Sequence, residues 1–206
     1  MKRLLYLMIL VLFSGAIIFL PSCSDQERGT IKGHGYVDLG LSVKWATCNI
    51  GADSPEEYGS YYAFGETETK TNFSFQNSVT YDMSMTDFSM DAEYDAATAN
   101  WGGTWRLPTA DEIDELIDKC TWTWTTLNGV RGYEVTGTNG NSIFLPAAGS
   151  RFSSSLNNAG SNGHYWSSSP GTSDTGDAFG LLFLSGYVFR SLYNRDGGMS
   201  VRPVSD

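Results

Sequence analysis

The stretch WRLPTADEIDELIDKCTWTWTTLNGVRGYEVTGTNGNSIFLP, residues 105–146, carries both kinds of regular element in one unbroken run. Thr109 offers a side-chain oxygen to a free backbone N–H, and Glu112, three residues on, completes a capping box. Ile113, Leu116, Ile117 and Cys120 then recur at helical spacing, so one apolar stripe faces a core while Asp111, Asp114, Glu115 and Asp118 face water. After Cys120 the period falls to two. Thr121-Trp122-Thr123-Trp124-Thr125 alternates, with both indoles on one face. Asn128-Gly129 and Asn139-Gly140 are hairpin turns, because both residue types tolerate positive φ. They bracket a strand at Tyr133-Glu134-Val135 and lead into Ile143-Phe144-Leu145. A capped helix feeding antiparallel strands predicts an α+β fold.

Toward the N-terminus, Val37, Leu39, Leu41, Val43 and Trp45 alternate with Asp38, Gly40, Ser42 and Lys44, which reads as a half-buried strand or a tight strand pair. Tyr61-Tyr62-Ala63-Phe64 reads as a short strand ending at Gly65. Residues 66–90 sustain neither period and form a long loop. Toward the C-terminus, from Gly149, the composition shifts to Ser, Gly, Asn, Asp and Tyr, with short strands around Leu181-Leu182-Phe183 and Tyr187-Val188-Phe189. That end reads as loop-rich.

The first residues point to export. Lys2 and Arg3 precede a nearly unbroken apolar run, Leu4 to Leu20, and the run closes in Leu20-Pro21-Ser22-Cys23. This resembles a lipobox, so residues 1–22 read as a lipoprotein signal peptide and Cys23 as the lipidated residue. The other reading is an uncleaved membrane span, since the run is close to the length that crosses about 30 Å. Residues 23–34 read as a lipidated tether, disordered over Ser24 to Gly29, with one folded domain over 35–206. Asp25 and Glu27 resemble the export tag of surface lipoproteins in Bacteroidetes; an ordinary linker is the alternative. The expected location is the outer membrane, lipid-anchored and facing the cell exterior.

Formal net charge is -10. Nucleic acid is excluded as a partner class, because phosphate binding needs clustered Lys and Arg. Setting Cys23 aside leaves Cys48 and Cys120. They can pair as a disulfide, closing a loop of about 70 residues worth about 4 kcal/mol in the chain-entropy account, or remain two buried thiols.

Several phrases together carry a family resemblance: Tyr36-Val37-Asp38-Leu39-Gly40-Leu41, Val43-Lys44-Trp45-Ala46-Thr47, Trp101-Gly102-Gly103, Trp105-Arg106-Leu107-Pro108-Thr109, Phe144-Leu145-Pro146-Ala147-Ala148-Gly149, Tyr165-Trp166-Ser167-Ser168 and Ser200-Val201-Arg202-Pro203-Val204. In that order they resemble the Fibrobacter succinogenes major paralogous domain and its relatives in Bacteroidetes lipoproteins, from about Gly35 to the C-terminus. The resemblance implies a C-type-lectin-like fold, twisted antiparallel strands with one or two helices and binding loops in the C-terminal half. That fold is shared with formylglycine-generating enzymes and with the variable proteins of diversity-generating retroelements, so it leaves both catalysis and recognition open.

The residues speak for recognition. No cysteine follows Cys120, whereas the formylglycine-generating enzymes need late copper-binding cysteines. His34 and His164 lack zinc-ligand spacing and read as surface residues. The Glu-Pro-Asn and Trp-Asn-Asp sequences of sugar–calcium sites are absent. Asp91, Glu93 and Asp95 read as solvated loop carboxylates rather than a cation site. Neither a nucleophile elbow nor a P-loop occurs. The expectation is therefore no enzyme, no cofactor and no metal.

Within the family pattern Ala178, Leu181, Phe183, Val188, Gly198 and Val201 correspond to scaffold positions. Phe179, Leu182, Phe189, Arg190, Leu192, Tyr193, Asn194 and Arg195 then correspond to an outward contact patch for an extracellular protein or glycan; the competing reading places half of them in the core. Trp101, Trp105, Trp122, Trp124 and Trp166 are expected in the core. A structural or fimbria-associated envelope protein is the alternative role.

Overall fold

The computed structural model describes residues 28–206. The signal peptide read over 1–22 and the lipidated Cys23 lie outside the described residues. The chain runs through β1 (Arg28–Ile31), β2 (His34–Val37), β3 (Lys44–Ala46), α1 (Ala96–Trp101), α2 (Ala110–Lys119), β4 (Thr121–Leu127), β5 (Val130–Thr136) and β6 (Ser142–Pro146). It continues through β7 (Ser150–Phe152), β8 (Ser155–Asn157), β9 (Asn162–Pro170), β10 (Asp177–Leu184), β11 (Tyr187–Asn194) and β12 (Val204–Ser205). The fold is α+β: antiparallel sheets ordered β1-β2-β3-β12, β11-β10-β9 and β4-β5-β6, a small β7-β8 pair and two short helices. The first strands and the last share one sheet, with Val204 opposite Trp45.

The helix read from the sequence forms as expected. Thr109 accepts from the Glu112 N–H while the Glu112 carboxylate accepts from the Thr109 N–H at 2.8 Å, and Ile113 and Leu116 are buried. Asp114 and Glu115 do not simply face water. Asp114 pairs with Arg190, and Glu115 with Lys119 and the Ser42 hydroxyl. The alternating run 37–45 is the tight strand pair: β2 and β3 pair through Tyr36–Ala46 and Val37–Trp45. The turn at Asn128-Gly129, with φ of 48° and 87°, joins β4 to β5.

Other expectations are corrected. Arg28–Ile31 pairs with His34–Val37, so the chain enters the fold before Gly35 and the tether is shorter than 23–34. Tyr61-Tyr62-Ala63-Phe64 is buried but contributes a single bridge, Tyr62 to Met199, rather than a strand. The C-terminal end is not loop-rich, because β9, β10 and β11 form its three-stranded sheet. β9 shows no alternation, since both its faces are buried: Tyr165 enters one core and its neighbour Trp166 the other. The sheet thus separates two cores. One gathers Trp45, Leu116, Tyr133, Leu145, Leu181 and Phe183; the other gathers Phe64, Phe88, Leu107, Ala178, Met199 and Val201. Gly163 is required here, because a Cβ would lie 2.0 Å from the Phe183 ring. Trp105 and Trp166 are fully buried, whereas Trp101, Trp122 and Trp124 are half-buried against the cores.

Asp95 is not a solvated loop acid. It is buried, caps α1 by accepting from the Ala97 and Thr98 N–H groups at 2.8 and 3.0 Å, and also accepts from Met90 and Leu107. One carboxylate therefore closes the long loop onto the irregular segment entering α2. Asp95→Ala is expected to lose about 2–3 kcal/mol in urea denaturation, because buried N–H donors are left unsatisfied. An unchanged midpoint would refute the role.

Candidate functional site

Strand parity decides which residues of the C-terminal patch can act together. Directly opposed residues on β10 and β11 share a face, and successive residues alternate. Leu182 opposes Phe189 and Ala178 opposes Tyr193, on the side of the second core. Phe179 opposes Leu192 and Leu181 opposes Arg190, on the side of α2 and the first core. The predicted patch is therefore two half-faces of one edge hairpin, with Leu182 and Phe189 on one and Phe179, Arg190 and Leu192 on the other. Asn194, opposite Asp177, is exposed at the strand's end.

Two members leave the patch. Arg195 is 1% exposed, and its guanidinium donates to the carbonyls of Thr80, Met83 and Asp177 while lying 5.1 Å from the centre of the Phe64 ring. It pins the long loop to the start of β10. Tyr193 is half-buried on the second core, edge-on to His164 and Trp166. An Arg three residues past Leu192 reads as solvated from sequence alone, because nothing local announces the carbonyls that a distant loop will present.

The hairpin is held at both ends. At its tip the Tyr133 hydroxyl accepts from the Gly186 N–H at 2.9 Å and donates to the Leu184 carbonyl at 3.2 Å; at its base stands Arg195. Between them Phe189 and Leu192 are each 42% exposed, and Tyr187 is 65% exposed. Tyr187 belongs to this surface although the family pattern did not place it there; the Ser185-Gly186 turn, with Gly186 at φ 87°, is the signal that puts it at the tip. Arg190 lies 4.3 Å from the Phe179 ring centre and 2.8 Å from Asp114, which fixes its charge on the α2 side. Among the described residues β11 pairs only with β10 and leaves an open edge.

Cys48 and Cys120 are free thiols, not a bridge. Cys120 ends α2 against the first core, where burial pushes its thiol up to about 11; Cys48 lies in the turn after β3 with its sulfur 3.6 Å from the Thr47 hydroxyl. Neither histidine is a plain surface residue. His34 stacks on Trp101, and His164 is 8% exposed with both ring nitrogens unbonded. Among the described residues no three His, Cys, Asp or Glu side chains gather as metal ligands. A cleft of about 330 Å³ between β1 and the β4–β6 sheet mixes Glu134, Ser142 and Thr125 with Val37 and Phe144. The chain matches no protein-family model, curated protein or solved structure.

Burial drives His164 from 6.5 down to about 4. The unfolded chain therefore takes up the proton first as pH falls. The stability of the neutral, buried ring is complete above pH 6.5 and is lost progressively toward pH 4. Relative to His164→Phe, the wild-type chain should lose about 3 kcal/mol across that window. Parallel pH curves for the two proteins, followed by thermal unfolding, would contradict it.

Proposed function

We propose that this chain is a lipid-anchored recognition module with a C-type-lectin-like fold, displayed outside the cell, that grips an extracellular protein or glycan and transforms nothing. The observation that carries this reading is the pinned hairpin. Its exposed Tyr187 and Phe189 stand on one face, and Leu192 on the other, of a strand whose two ends are fixed by part-buried hydrogen bonds. Rigid aromatic and aliphatic contact area binds with little loss of conformational entropy, and the flanking Ser191 and Asn194 supply adaptable polar contacts. The ordered motif series supports the fold, and the leader ending at Cys23 supports the anchor. Thioether-linked acyl chains at Cys23 would hold the domain at the membrane without a spanning helix.

Two measurements test the parts separately. Cys23→Ala should abolish acyl labelling and keep the chain out of the membrane fraction; retention in the membrane would favour an uncleaved span. On an array of extracellular proteins and glycans, Phe189→Ala with Leu192→Ala should weaken capture of the wild-type ligand at least about tenfold while the thermal midpoint stays put. Arg195→Ala should lower the midpoint through lost packing and orphaned carbonyls. Equal binding by the double variant would overturn the hairpin's role.

A further inference from the structure

A second concavity, of about 430 Å³, opens on another part of the molecule and shares no residue with the hairpin surface. One wall is aromatic. His34, at the start of β2, lies flat on Trp101, at the end of α1, with ring centres 3.8 Å apart and planes at 5°. Trp105 supports the stack edge-on at 5.2 Å and is itself fixed by donating its indole N–H to the Ile31 carbonyl at 2.9 Å. The rest of the lining is mostly polar: Ser60 and Tyr62 from one segment, and Thr67, Glu68 and Thr69 from the beginning of the long loop. Asn100 ties α1 to the long loop. Its amide donates to the Thr67 and Ala96 carbonyls at 3.1 and 2.8 Å, which leaves its side-chain oxygen as an acceptor.

We infer that this cleft binds a neutral saccharide. The groups it presents are mostly hydroxyls and acceptors, so its occupant must bring several hydrogen-bond donors. The cleft's ionisable groups disfavour an anion: Glu68 is an exposed carboxylate, and burial holds His34 below its ordinary value. A hydrocarbon ligand finds little apolar wall beyond Ile50 and the stacked rings. A sugar ring meets both demands, with hydroxyls around its rim for the carboxylate and hydroxyl groups and a C–H face for an aromatic wall. The pieces come from β2, α1 and three loops, and buried Asp95 and Trp105 hold α1 in place. The shape is therefore preformed.

The full acylated chain, in a detergent without a sugar headgroup, is titrated to millimolar concentration with cellotetraose, mannotetraose, xylotetraose and chitotetraose. The Trp101 indole N–H resonance is followed. At least one of these neutral sugars should shift it saturably. Glu68→Ala, read by that resonance, and Trp101→Ala, read by isothermal calorimetry because it removes the reporter, should each weaken that binding about tenfold. Glu68 is exposed, so its variant keeps the fold if Trp101→Ala does not. Phe189→Ala with Leu192→Ala should leave the titration unchanged, which separates this cleft from the hairpin surface. The proposal is overturned if no tetrasaccharide moves the resonance, if tetramethylammonium moves it as strongly as any sugar, or if binding survives Glu68→Ala undiminished.

Discussion

A guanidinium buried without a counter-charge organises this molecule. Arg202 is 1% exposed and forms no ion pair among the described residues. It donates instead to the Asn49 side-chain oxygen and to the carbonyls of Ala46, Thr47 and Phe144, at 2.8 to 3.0 Å. Burying a cation costs several kcal/mol, and only a full set of acceptors offsets that cost. The acceptors belong to the end of β3, the turn after it and β6, while Arg202 itself leads into β12. One side chain thus ties two sheets to the C-terminal strand.

The same device recurs where sheet pairing is absent. Arg195 fastens the long loop through the Thr80 and Met83 carbonyls; Arg106, by contrast, is ion-paired, gripping Glu112 with two hydrogen bonds and reaching Asp206. These contacts, with Asp95, replace the ladder that residues 66–90 lack. They account for a chain with long irregular stretches that still presents fixed surfaces. The exposed hairpin and the proposed saccharide cleft share this frame, and both gain from it in the same way: their shapes are preformed.

Much of the fold was legible in sequence wherever periodicity and turn chemistry were local. α2 announced itself through Thr109, Glu112 and the stripe from Ile113 to Cys120; the β4–β5 hairpin did so through Asn128-Gly129. β9 escaped because a strand buried on both faces has no polar alternation to read. α1 escaped because six residues, two of them buried alanines, carry little signal, and its cap, Asp95, sits among acidic loop residues. At the candidate site the scaffold positions Ala178, Leu181, Phe183, Gly198 and Val201 are buried, and Val188 is half-buried. What sequence could not supply was the division of the outward residues between two faces. That required the β10–β11 register, in which one residue of slip reverses every side chain. Arg195 and His164 were misplaced for a related reason, since polar side chains enter a core only where distant segments come to meet them.

The central claim is that charged side chains satisfied by backbone carbonyls hold the frame on which the binding surfaces stand. Urea unfolding of Arg202→Met tests it most directly. Methionine fills similar apolar space but offers no donors, so the account predicts a loss of about 3–5 kcal/mol from the stranded carbonyls and Asn49. A midpoint equal to or above that of the wild-type chain would show that packing alone holds the sheets together and that Arg202 is dispensable.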